Sequence, residues 1–164
     1  MFSAYKRHYN PLYSKLVELS RTIFFYKKIL LNDNFETRIN LIFIHFSILL
    51  LIYKKKKEKF PQEIFDNIFL NIEYHIRELG YGDVAVNKKM KDMNKIFYDI
   101  LLKFNNSKEF FSLNKILILK YFNELNDAKR DKYELFDRYF INFYHFCFEL
   151  SSKNMIKEVL KFKV

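Results

Sequence analysis

Apolar residues recur at intervals of three and four along most of the chain, the spacing that gathers them on one face of an α-helix. After Pro11, a first stripe runs through Leu12, Leu16, Leu19, Ile23, Tyr26 and Leu30. Asn32-Asp33-Asn34 then supplies turn and capping chemistry. A second stripe holds Phe35, Ile39, Ile42, Phe46, Leu49 and Tyr53, and from Leu41 onward this segment is apolar nearly all round. A helix of that kind is enclosed by others. A third stripe, after Pro61, predicts Phe65, Ile68, Phe69, Ile72, Ile76 and Leu79 inward, with Glu73 and Arg77 paired four apart on the outer side. A fourth begins near Val86 and buries Met90, Met93, Phe97, Ile100, Leu101 and Phe104. A shorter helix is predicted over about Ser112 to Glu124, and another from Asp131 to Leu150 with Phe136, Phe140, Phe143, Cys147 and Leu150 inward. The tail from Ser151 is amphipathic, with Lys153, Lys157 and Lys161 on one side. The expected fold is all-α: one compact bundle of about six helices over residues 1–164, the second helix at its centre.

Composition narrows the picture further. Only Gly 2 and Pro 2 occur in 164 residues, against Phe 20 and Tyr 12. Glycine this scarce excludes the tight hairpins of a β-sandwich and the glycine loops that cradle nucleotides. Both prolines precede a helical stripe, where a missing N–H costs nothing. Leu41 to Tyr53 is interrupted by His45 and Ser47 and falls short of the ~20 apolar residues a membrane span needs, so it reads as a core helix. One cysteine, Cys147, excludes an intramolecular disulfide and agrees with a reducing compartment. The first residues carry neither a signal-peptide pattern nor an Arg/Ser-rich presequence, so a soluble protein is expected. The abundance of Lys, Asn, Ile, Phe and Tyr also fits an AT-rich genome.

A net charge of +10 adds a choice of partners: nucleic acid, ribosome or anionic lipid. The lysines gather in the Lys54 to Lys59 run, on the outer face of the fourth helix (Lys88, Lys91, Lys95) and in the tail. His8, His45, His75, His145 and Cys147 show no metal-ligand spacing, and no nucleophile–base pair or phosphate loop is visible, so no catalytic residue, metal or cofactor is expected. Asp92 and Asp99 read as counter-charges to lysine. Arg38 and His45 lie seven residues apart on one helical face, about 10 Å along the axis. In an apolar helix both need partners, which predicts a buried polar network with a carboxylate such as Glu78 or Asp83; a client-contacting or haem-sensing His45 is the other reading.

Both glycines of the chain fall within Gly80-Tyr81-Gly82-Asp83. This predicts a sharp corner, with Gly80 as a left-handed cap and Gly82 as a second permissive position. Arg77 and Glu78 flank it on one side, Lys88, Lys89 and Lys91 on the other. A capped helix–helix turn and a loop shaped for recognition both fit this pattern.

The run Arg77-Glu78-Leu79-Gly80-Tyr81-Gly82-Asp83-Val84-Ala85-Val86-Asn87-Lys88-Lys89-Met90-Lys91, followed by Phe97-Tyr98, resembles the signature of the ubiquinol–cytochrome c chaperone family. The resemblance extends to Asp33, Phe35, Arg38 and His45 and to Ser20-Arg21 and Phe25-Tyr26, covering about residues 13–104; beyond Phe104, residues 112–163 show helical character alone. Ala85 stands where the family often has a hydroxyl residue, Asn87 where it often has proline, Tyr81 in place of a smaller aliphatic and Asn71 in place of aspartate. The fourth helix thereby loses its usual cap, leaving that role to Asp83 or Asn87.

The resemblance implies an assembly factor rather than an enzyme. Its client would be newly made cytochrome b, its task the assembly of ubiquinol–cytochrome c reductase, with a small assembly-factor partner and the ribosome as further contacts. The short N-terminus suggests a bacterial-type member, cytoplasmic and peripheral at the inner face of the membrane, or on the matrix side in a mitochondrion. On this reading Arg77, Glu78, Gly80, Tyr81, Gly82, Asp83, Lys88 and Lys91 contact client or partner, an apolar surface shields client segments, and no DNA is bound. Two alternatives stay open: a basic helical domain that binds nucleic acid or ribosome, and a helical lipid or isoprenoid enzyme.

Overall fold

Asparagine side chains start three of the helices. In a computed structural model describing residues 10–104, 110–126 and 131–164, the Oδ1 atoms of Asn10, Asn34 and Asn114 accept from the backbone N–H three residues on, at 3.2, 2.9 and 3.2 Å. Each satisfies a donor that the first turn leaves without a helical partner. The helices are α1 (Pro11–Ser20), α2 (Phe35–Lys55), α3 (Gln62–Glu78), α4 (Asp83–Lys103), α5 (Lys115–Tyr121), α6 (Lys132–Phe148) and α7 (Ser152–Glu158). Short 3-10 turns follow α5 and α7, and the described residues contain no strand.

As the periodicity predicts, α2 is the central helix. It packs against α1, α4 and α6. It is long and apolar enough to cross a membrane, yet 72% of its most apolar window is buried inside the fold. Phe43 and Phe46 meet Phe97 of α4 at ring separations of 5.3 and 5.6 Å, while His45 faces Phe140 and Phe143 of α6 at 4.7 and 4.9 Å. Rings in tilted or edge-on contact account for much of this core.

The first stripe ends early. Helix α1 stops at Ser20, whose Oγ donates back to the Val17 carbonyl at 2.7 Å while its own carbonyl accepts from the Tyr26 hydroxyl. Phe24–Lys28 then forms a wider, π-type turn, and Leu30 takes a left-handed φ of 65°. Ile23 and Leu30, expected inward, are exposed; Phe25, Ile29 and Leu31 are buried instead, Phe25 enclosed by His45, Phe136, Tyr139 and Phe140. The tail closes back on α1: Lys15, only 6% exposed, donates from Nζ to the Phe162 carbonyl at 2.9 Å. The Lys54 to Lys59 run is only partly a solvated strip. Lys55 lies over the Tyr144 ring, and Lys56 lies over Phe148 and donates to the Leu150 carbonyl.

Candidate functional site

The corner between α3 and α4 forms where helical propagation stops at Leu79. The Gly80 N–H bonds the Arg77 carbonyl at 3.0 Å, and Gly80 has φ of 95°, a left-handed conformation that side chains rarely adopt. Gly82 differs. Its φ of −76° is open to any residue, a Cβ there would meet nothing within 4 Å, and it is the N-cap of α4. Helix α4 therefore begins at Asp83, about one turn ahead of the expected Val86. Asp83 occupies the first turn, where a carboxylate suits the positive end of the helix dipole. Neither Asp83 nor Asn87 is the cap.

Arg77 brackets this corner. Its guanidinium bonds Asp83 across the turn and Glu73 one turn back at 3.3 Å, confirming the expected i,i+4 pair. Asp83 foremost, then Glu73, holds the guanidinium proton above its ordinary affinity. Because Arg77 is 39% and Asp83 83% exposed, the link adds little stability.

Around the bracket, three apolar side chains face outward: Leu79 at 52%, Tyr81 at 43% and Val84 at 86% exposure. Lys89 places its ammonium 4.5 Å from the Tyr81 ring centroid, a cation–π contact. Glu78, Lys88 and Lys91 are exposed alongside. The structure thus gathers Arg77, Glu78, Gly80, Tyr81, Gly82 and Asp83 at one corner, with Lys88 and Lys91 on the adjoining turns of α4. The periodicity placed Leu79 inward, and it missed Val84. The signal for Leu79 was its place immediately before a left-handed glycine, beyond the last full turn.

Arg38 and His45 do not share the expected network. Arg38 turns outward and pairs with Asp33, Nε to Oδ1 at 2.9 Å. His45 turns into α6: its Nδ1 lies 2.7 Å from the Leu41 carbonyl and its Nε2 2.8 Å from the Tyr139 hydroxyl. A carbonyl only accepts, so Nδ1 carries the proton and Nε2 receives the tyrosine O–H. Burial drives the His45 pKa down to about 3, so the ring is neutral. Seven residues of helix bring two Cα atoms onto one face, but the ends of the two side chains diverge, one to solvent and one to the ring cluster.

Among the described residues, no three His, Cys, Asp or Glu side chains are grouped to hold a metal; His8 lies outside them. Burial pushes the Cys147 thiol up to about 12, far from a reactive thiolate. Asp99 is a counter-charge to lysine, as expected, and also joins α4 to α5: it takes Lys103 at 2.8 Å, Lys120 at 2.9 Å and the Tyr121 hydroxyl. Lys103 foremost, then Tyr121, holds its carboxyl well below the usual range.

In comparisons with known proteins, no curated protein and no solved structure matches the chain. Residues 27–117 match the family described as Ubiquinol-cytochrome C chaperone. The match starts later than the resemblance read from the motifs and continues through α5's first turn, and the glycine corner lies within it. With more than half its length matched, the chain belongs to the ubiquinol–cytochrome c chaperone family.

Proposed function

We propose that this protein binds newly made cytochrome b through the α3–α4 corner and shields its apolar segments until they join the ubiquinol–cytochrome c reductase complex. Family membership supports a chaperone role in assembly of respiratory complex III, and with it a client protein and non-catalytic work. The observation that carries the finer reading is the exposure of Leu79, Tyr81 and Val84 together, beside the left-handed Gly80, inside the family-matched span. A helix–helix turn set by the left-handed Gly80 presents these side chains, with the exposed Arg77 and Asp83 charges beside them. Apolar contact of this kind suits segments that would otherwise aggregate before insertion. Lys88 and Lys91 add attraction for acidic residues flanking such segments. A small assembly-factor partner and the ribosome belong to the same reading, as does work at the inner face of the cytoplasmic membrane or its matrix counterpart.

Crosslinking capture from the native host tests the reading. The wild-type chain is expected to enrich cytochrome b, and Arg77→Ala and Asp83→Ala to weaken that enrichment at an unchanged melting temperature. Capture should persist from low to moderate salt, where adhesion to RNA or DNA collapses. Variants that melt earlier yet capture normally would reduce the corner to a helix cap.

A further inference from the structure

We propose that the groove between the C-terminal end of α4 and the segment entering α5 is a docking surface for an anionic phospholipid bilayer. This rests on a different part of the molecule from the client corner. The groove is half open and holds about 320 Å³. Its floor is firm: Phe104 and Phe111 are buried, and Phe111 stacks on Tyr144 of α6 with ring centroids 4.4 Å apart. From this floor Phe110 and Ile116 project outward, 79% and 85% exposed. Large apolar side chains that far into water are costly to leave uncovered.

Charge selects the occupant. Lys55, Lys103 and Lys115 line the groove with the apolar residues, and among the described residues lining it none is acidic. Lys55 and Lys115 rest against the Tyr144 and Tyr133 rings, and Lys103 is steadied by Asp99 at 2.8 Å. These contacts fix three ammonium groups around protruding apolar anchors. An apolar client segment answers the anchors and supplies no charge for Lys55 and Lys115, whereas Lys103 already shares Asp99. An anionic bilayer answers both, with acyl chains below the interface and phosphates at it. The chain's net charge of +10 draws it toward such a surface.

The placement fits a division of labour along α4. Its 21 residues span about 30 Å, with the client corner at the N-terminal end and this groove at the other. Docking by the groove leaves the corner free.

Flotation of the full-length chain with vesicles tests the proposal. Binding is expected to vesicles of phosphatidylcholine with phosphatidylglycerol and not to phosphatidylcholine alone. Phe110→Ser with Ile116→Ser should lower partitioning at least tenfold. Lys103→Gln and Lys115→Gln should each lower it about fivefold and flatten its salt dependence. Equal binding to neutral vesicles, or wild-type flotation of the Phe110/Ile116 variant, would overturn it, as would an equal loss on replacing the far-end Lys88 and Lys91. The Phe110/Ile116 variant should still capture cytochrome b in detergent, so failure of this proposal is separable from failure of the client reading.

Discussion

The imidazole of His45 sits among Phe25, Tyr139, Phe140 and Phe143, with each nitrogen matched to one partner. Its folded-state pKa of about 3 lies below the ordinary value of 6.5. As pH falls below 6.5, the unfolded chain takes up a proton that the folded chain refuses. The stability due to the neutral ring is therefore complete above pH 6.5 and is lost progressively toward pH 3, by about 1.4 kcal/mol per pH unit. Denaturant titrations from pH 7 to pH 4 should show this slope, and it should disappear in a His45→Leu/Tyr139→Phe variant, which leaves neither partner orphaned. An unchanged slope in that variant would assign the acid sensitivity to other groups. The sequence marked His45 as needing a partner, because a polar ring in an apolar helix does. The partner itself, Tyr139, lies 94 residues away and could not be read from local spacing.

At the scale of elements, patterning was sufficient wherever burial alone decides. Helix α2 is apolar on every side along its later half and is the core. The same rule failed after Ser20, because a three–four rhythm continues through Ile23, Tyr26 and Leu30 while the backbone does not. What redirects the chain is tertiary: the Tyr26 hydroxyl takes the Ser20 carbonyl, and Phe25 fills the space beside His45 and Tyr139. Phe25→Ala should accordingly cost about 3–5 kcal/mol, as for a fully buried phenylalanine, whereas Ile23→Ser should change stability by less than about 0.5 kcal/mol. Chemical denaturation of both variants measures the contrast, and comparable losses would put Ile23 back in the core. The glycine corner was legible as a corner, since glycine is too rare here to be incidental. Gly80 was legible as the left-handed cap ending α3; that Gly82 needs no such freedom was not, because φ is a property of the folded turn. Only Gly80 is left-handed, so Gly80→Ser should cost about 1 kcal/mol or more, while Gly82→Ser, in an extended N-cap position that favours serine, should be neutral or slightly stabilising. Thermal melts that rank the two the other way would contradict the geometry.

Across the whole molecule, the aromatic surplus divides into a buried network and a few outward positions. Phe25, Phe43, Phe46, Phe97, Phe136, Phe140 and Phe143 are fully buried and hold the turn after α1 together with α2, α4 and α6. Tyr81 and Phe110 are exposed at opposite ends of α4, each beside lysine. Family membership was legible because its residues are contiguous: one glycine motif carries it. The exposed apolar surfaces were not, because Leu79, Val84, Phe110 and Ile116 have the same hydrophobicity as core residues and differ only in what the fold places over them. The central claim is that the corner holds cytochrome b. Its most direct measurement is quantitative crosslinking of cytochrome b to the chain in its native host, wild type against Arg77→Ala and Asp83→Ala at matched melting temperature. Enrichment of cytochrome b by the wild type and its loss in both variants is the predicted result; equal enrichment by all three, or none by the wild type, would contradict the account.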